Sequence, residues 1–189
     1  MASSPGFHQQ TAQFLARIRA GDRDAFEQFF REWYPRLADY AQRLLQNRDA
    51  SEDAVQDVFV ALWSRRDRLP EGDRLAGYLY RSVRNRALNQ LRRQRTAGKW
   101  LAVLDPDPAV PPDAETGIED RELDQAYRAA LAELSPRGRE VFLLSRDQGL
   151  SYPQIADALG ISIKTVETLM GRALRALRGR LLPRLDHPG

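Results

Sequence analysis

Between Ile163 and Arg178 the sequence IKTVETLMGRALRALR sets Lys164, Thr165, Glu167, Thr168, Arg172 and Arg175 among Val166, Leu169 and Met170, with Ser162 just ahead of them. Hydroxyl, ammonium, guanidinium and carboxylate groups in one row can exchange hydrogen bonds with base edges, and the cations can hold phosphate. The residues before this row predict how it is presented. Ser151 followed by Gln154 is a capping-box pattern, and Ile155, Ala156 and Leu159 form the inner face of a short helix. Gly160 suits a tight turn with positive φ, and Ser162 caps a longer helix. Small Ala156 allows a close helix crossing, while Ile161, Val166, Leu169 and Met170 close the wedge. These are the requirements of a helix-turn-helix, with Ile163 to Arg178 as the helix for a major groove. An ordinary helical hairpin would share the apolar pattern, and the polar outer face is what separates the two readings.

The elements that must carry this segment are helical throughout. Phe26, Phe29, Phe30, Trp33, Leu37, Tyr40, Ala41, Leu44 and Leu45 recur at three-and-four spacing, with Pro35 as a place for a bend. A second helix is expected from Ser51 as N-cap, burying Ala54, Val55, Val58, Phe59 and Leu62. A third is expected from about Leu75 to Arg95, with Tyr78, Leu79, Val83, Ala87 and Leu91 inward, and FHQQTAQFLARIRAG gives a short helix before all of them. Leu123, Tyr127, Ala130, Leu131 and Leu134 then resume helical spacing, and Ser135–Pro136 starts a further helix that Gly149 stops. The fold class is therefore all-α: two small helical domains, residues 1–95 and 121–189, joined by an acidic, Pro-rich linker over 96–120 whose apolar anchors are Trp100, Leu101, Val103 and Leu104. The 189 residues carry a net charge of only +3, but the charge is segregated: Arg81 to Lys99 holds only basic charges, and Asp105 to Asp124 is almost wholly acidic. With no cysteine there is no disulfide framework and no thiolate chemistry. No apolar run reaches the roughly 20 residues of a spanning helix, and the start lacks a signal-peptide pattern, so a cytoplasmic chain without membrane insertion is expected.

Two blocks, RDASEDAVQDVFVALWSRRDRLPEGDRLAGYLYRSVRNRALNQLRRQR and, after the linker, LSPRGREVFLLSRDQGLSYPQIADALGISIKTVETLMGRALRALRGRL, resemble the sigma-70 family of RNA polymerase sigma factors in its smallest, extracytoplasmic-function (ECF, group 4) form. The likeness covers about Asp22 to Leu182. It implies that the first domain is region 2, which docks on the clamp of core RNA polymerase and opens the minus-ten element, and that the second is region 4, which reads the minus-thirty-five element and contacts the polymerase flap. Carried over by position, EDAVQDVFVALW makes Asp53, Gln56, Asp57, Phe59 and Trp63 clamp-binding candidates, Phe59 being equally suited to the core. The loop from Leu69 to Arg74 corresponds to the part that holds a flipped base, with Gly72, Asp73 and Arg74 as its minus-ten candidates, and Asn85, Arg86, Asn89, Arg92 and Arg93 follow on the next helix as further candidates. A melted strand needs cations for its backbone, amides for base edges and a surface that replaces lost stacking. Tyr78 and Tyr80 are stacking candidates, Tyr78 fitting better in the core beside Leu75 and Leu79. The implied partners are core polymerase, at clamp and flap, and promoter DNA, as upstream duplex and as melted strand; an anti-sigma factor is a further candidate. Two positions depart from the common pattern: Asn89, where many members have Asp, and Leu169, where many have a basic residue.

The rival reading is a free-standing LuxR-type regulator, whose DNA-binding domain the C-terminal block also resembles. Such proteins usually begin with an α/β domain, which the helical N-terminal half does not offer. An enzyme would need convergent carboxylates, a nucleophile with its base, or a phosphate loop, and none is present. Glu52, Asp53 and Asp57 lack a histidine partner for a metal site, and His8 and His187 fall in the expected tails. No cofactor, catalytic residue or metal ligand is expected.

Overall fold

The protein is described here as a computed structural model covering residues 14–96 and 118–185, with side chains over 14–94 and 125–180. The helices are α1 (14–19), α2 (Arg23–Leu45), α3 (Arg48–Ser64), α4 (Arg74–Thr96), α5 (Ile118–Ala132), α6 (Pro136–Arg146), α7 (Tyr152–Leu159) and α8 (Ile163–Leu185), with a 3-10 turn at Arg66–Arg68 between α3 and α4. Among the described residues there is no strand. The Pro-rich tether and its apolar anchors lie outside the described residues, except where α4 runs on to Thr96 and α5 begins at Ile118.

Local chemistry sets the boundaries. Asp22 caps α2 by accepting from the Ala25 amide at 3.0 Å, and that hydrogen bond, with the Arg17 guanidinium, holds its carboxyl below the usual range. α2 continues through Pro35 to a left-handed Gln46. α3 starts one turn earlier than the sequence predicts. Asn47, not Ser51, is its N-cap, accepting from the Ala50 amide at 2.9 Å. Ser51 lies inside the helix, buried, its hydroxyl donating to the Asn47 carbonyl at 2.7 Å. An asparagine is as good a cap as a serine, and the earlier one wins because the intervening Ala50 then joins the buried side.

The first body packs α2, α3 and α4 over Leu15, Ile18, Phe29, Trp33, Leu37, Val55, Val58, Phe59, Leu62, Leu75, Leu79 and Val83, all buried. The second packs α5, α6, α7 and α8 over Ala130, Leu131, Val141, Leu144, Ile155, Val166, Met170 and Leu177. Each such aliphatic or aromatic side chain contributes roughly 1.5–3 kcal/mol when removed from water. The two bodies are also docked: α4 lies along α7, and the buried apolar core is continuous from one to the other. Nothing in the sequence reading anticipates that contact. It also corrects the tyrosines of α4, because Tyr80 is fully buried whereas Tyr78 is 37% exposed.

Candidate nucleic-acid interface

The helix-turn-helix forms with the predicted chemistry. Ser151 and Gln154 make both bonds of a capping box at the start of α7, and Gly160 ends it at φ 65°, ψ 42°. The turn is compact, and α8 follows with Ser162 as its cap, the Ser162 hydroxyl accepting from the Thr165 amide at 3.1 Å. Val166, Met170, Ala173 and Leu177 face inward and are buried. Ser162, Lys164, Thr165, Glu167, Thr168, Arg172 and Arg175 are all exposed. Their hydrogen bonds are local: Ser162 and Thr165 share one at 2.8 Å, Lys164 and Glu167 pair at 3.6 Å, and Thr168 donates to the Lys164 carbonyl at 2.9 Å. Ile163 adds an exposed apolar group at the start of the row, a surface that suits a thymine methyl.

On α4 the exposed face carries Asn85, Asn89, Arg92 and Arg93, with Arg86 half-buried. Arg86 bends back to the Asp57 carbonyl at 2.8 Å, and Arg86, Asn89 and Arg93 line a cleft shared with Asp53, Asp57 and Gln90. Tyr78 belongs to the same exposed face, since it precedes Asn85 by seven residues and Asn89 by eleven, close to whole turns of a 3.6-residue helix. It also lines an open cleft of about 650 Å³ with Ser64, Arg65, Asp67 and Arg68. An aromatic ring flanked by two guanidinium groups can stack a base and hold its phosphate. The loop Gly72–Arg74 is exposed, with Gly72 at φ 57°, and Asp73 and Arg74 share a cleft with Ser162 and Ile163 of α8.

Along α3, Asp53, Gln56 and Asp57 are exposed on one side. Phe59 is not. It is 3% exposed, with its ring against Phe26, Phe29, Phe30 and Tyr34, so its place is the core and not a contact surface. Trp63 is half-buried, against Phe26 on one side and under the Arg66 guanidinium on the other. Val60, which the sequence reading passes over, is 67% exposed beside the polar residues; its apolar type one turn after Gln56 and Asp57 is the signal that could have found it.

Other side chains matter that the sequence did not single out. Arg139 is 2% exposed and donates to the carbonyls of Leu131 and Ala132, each at 2.8 Å, closing the end of α5. Arg137 does the same for the Leu159 carbonyl at the end of α7. Burial pushes the Tyr80 phenol up to about 12, and Tyr40 is raised well above the usual value by burial and by the carboxylate of Glu140. Among the described residues no cluster of three or more metal-ligating side chains occurs, and no helix is long and apolar enough to cross a membrane.

Comparison with known proteins places this geometry among relatives. The family description "Sigma-70 region 2" matches residues 29–97, and "Sigma-70, region 4" matches 124–177. The RNA polymerase sigma factor CarQ of Myxococcus xanthus is 30% identical over 167 residues, covering 87% of this chain and 93% of its own. The ECF sigma factor SigW of Bacillus subtilis is 24% identical, covering 88% and 94%. Among solved structures, CnrH in complex with the cytosolic domain of CnrY superposes with a TM-score of 0.62 at 27% identity, covering 94% of this chain and 99% of that one. The sigma factor RpoE of Bartonella quintana, in complex with the anti-sigma factor NepR, gives the same TM-score and identity over 82% and 96%.

Proposed function

This chain belongs to the sigma-70 family and is a sigma factor of the extracytoplasmic-function type, and from that premise we propose how its two bodies divide the work of transcription initiation. The second body reads the upstream duplex element through α8. The first body docks on the polymerase clamp through α3 and holds the opened minus-ten strand on the exposed face of α4. Polymerase performs the chemistry, and this chain supplies promoter choice and opening.

The observation that carries the reading is the two-sided character of α8. One side is buried against its own body through Val166, Met170, Ala173 and Leu177, and the other sets seven polar or charged residues in solvent from Ser162 to Arg175. The early residues of the row, Lys164, Thr165 and Thr168, suit base edges, and Arg172 and Arg175 suit phosphate. On α3, Asp53, Gln56, Asp57 and Val60 combine charge with an apolar contact in the way a helix seated in a partner's groove requires. The occurrence of relatives in complexes with CnrY and NepR makes a protein inhibitor a further candidate partner for this chain.

Run-off transcription with purified core polymerase and a pool of randomised promoters tests the proposal. Added chain is expected to start transcripts from templates that share two short motifs at fixed spacing. No stimulation, together with tight duplex binding in the absence of polymerase, would instead establish a free-standing regulator.

A further inference from the structure

We infer that Arg19 is a positioning residue for promoter opening: from α1 it fixes the loop of residues 69–74 in the shape that receives an unpaired base. The inference rests on the proposed part of that loop in strand capture, but the hold of Arg19 on the loop stands on contacts within the first body.

Arg17 and Arg19 look alike in the run ARIRAGD. The fold separates them. Arg17 is exposed and turns to its own neighbourhood, pairing with Asp22 at 2.7 Å. Arg19 follows the buried Leu15 by one turn of α1, which sets it at the edge of the buried face, and its guanidinium meets a segment 50 positions away. Its Nη2 donates to the Leu69 carbonyl at 2.7 Å, and its Nη1 donates to the Glu71 carboxylate.

The loop is built to be held at that point. Leu69 is 4% exposed and anchors its start. Pro70 disfavours helical backbone at the residue before it, and Leu69 is accordingly extended at φ −63°, ψ 134°, where the 3-10 turn ends. Gly72 takes φ 57°, and its carbonyl accepts from the Leu75 amide at 3.2 Å as α4 begins. From Glu71 to Arg74 every residue is exposed and none has an apolar side chain to pin the chain to the core. A guanidinium that bonds positions 69 and 71 together supplies what burial does not, because its planar fork holds two acceptors in fixed directions.

Two consequences bear on a melted strand. Ordering a backbone costs conformational entropy, and a loop already held when the strand arrives does not meet that cost at capture. The same pairing draws the Glu71 carboxylate toward α1. The Glu71 side chain is 75% exposed, so without Arg19 it would set a free negative charge beside the phosphates of the strand. Arg19 itself is only 29% exposed and its donors are committed to the loop, so it acts through the loop and not by touching a base.

Holoenzyme assembled from core polymerase and the full chain, titrated with labelled single strands that vary the base at each minus-ten position in turn, reads the effect. Arg19→Ala is expected to weaken the best strand by about tenfold, the lower end of what a hydrogen bond to a charged group is worth, and to flatten base preference at one position while the others keep theirs. Arg19→Lys restores the charge without the fork and should recover affinity but not preference. Glu71→Gln in the Arg19→Ala chain should recover about threefold in affinity, the scale of one exposed ion pair, and none of the preference. Because the buried Leu15 and Ile18 keep α1 on the first body, circular dichroism should show the same helicity in every variant. Nitrogen-15 relaxation of the free chain reads the hold without polymerase: order parameters at Glu71 and Gly72 should fall from about 0.85 to below about 0.6 in Arg19→Ala. Those two residues are chosen because Gln154 of α7 donates to the Asp73 carbonyl at 3.1 Å and steadies the far side of the loop. Base preference that survives in Arg19→Ala, equal flattening in the control Arg17→Ala, or a loop already mobile in the wild-type chain overturns the inference. Wild-type holoenzyme that captures no strand would overturn the functional reading instead, and the relaxation of the free chain would still decide whether Arg19 holds the loop.

Discussion

Thr168 commits its hydroxyl proton to the Lys164 carbonyl, so toward a base it can only accept a hydrogen bond or offer its methyl. Thr168→Val keeps the shape and removes the acceptor. It should change preference at one upstream base pair by about 1 kcal/mol, the usual worth of one neutral hydrogen bond. Arg172→Ala and Arg175→Ala should instead weaken all upstream sequences alike and lower the slope of log affinity against log salt by about 0.9 each. Anisotropy titrations of holoenzyme against a panel of upstream duplexes at several salt concentrations separate the two outcomes; a base-specific change from either arginine would reverse the assignment. Arg139 has a different task, since its buried guanidinium closes the end of α5 on two carbonyls. Arg139→Ala should cost about 3 kcal/mol, from two hydrogen bonds to a charged group and the unpaired carbonyls they leave, as read by urea unfolding. In the sequence Arg139 is one arginine among many near a helix start, and only the fold turns it inward.

At the scale of elements, the sequence reading found α8 and its outward row because a helix with one apolar side and a capped start shows itself in local spacing. α4 was harder because it has three faces. Leu75, Leu79, Val83 and Ala87 pack into the first body, and Gly77, Tyr80 and Arg84 meet the second. Tyr78, Asn85, Asn89 and Arg92 remain in solvent. A pattern tuned to one apolar stripe assigns Tyr78 to the core because it neighbours Leu79, and it has no way to know that Tyr80 will be covered by another body. Phe59 suited either place in the sequence, since an aromatic beside acids resembles an anchor until Phe26, Phe29 and Phe30 close around it. The exposed Tyr78 leads to a prediction about strand capture. Tyr78→Ala should lose about 1–3 kcal/mol of opened-strand binding, the worth of one base stacked on an aromatic ring, whereas Tyr78→Phe should retain it. Permanganate reactivity of thymines near the start site should fall in the alanine variant, and a template already mismatched there should restore it. Equal opening by both variants would return Tyr78 to a passive role.

At the scale of the whole molecule, the division into helical bodies is legible in the break between apolar periodicities, but their docking is not, because it depends on single residues far apart in sequence. Gln148 and Tyr80 are 68 positions apart, and Gly77 reads as an ordinary weak point in a helix. The same contact makes docking sensitive to alkaline pH. Tyr80 titrates at about 12 in the folded chain, raised by burial although Arg36 opposes the shift and Asp39 adds to it. A phenol in water titrates near 10. Because the folded chain holds the proton more tightly than water does, the stabilisation from Tyr80 is complete below pH 10 and is lost as pH rises through about 12. Tyr40, facing Glu140, Arg84 and Arg137, is raised by its burial and by that carboxylate, so it acts in the same sense. Energy transfer between dyes at Glu27→Cys on α2 and Ala129→Cys on α5 is therefore expected to fall between pH 10 and 12 in step with tyrosinate absorbance. Replacing Tyr40 and Tyr80 together by Phe removes both titrating groups while keeping the rings that pack 5.2 Å apart. That variant should start with weaker docking, because Gln148 and Glu140 each lose a donor, and should then change little over the same interval. A wild-type chain that stays docked after its tyrosines ionise would show that these two phenols do not contribute to holding the bodies together.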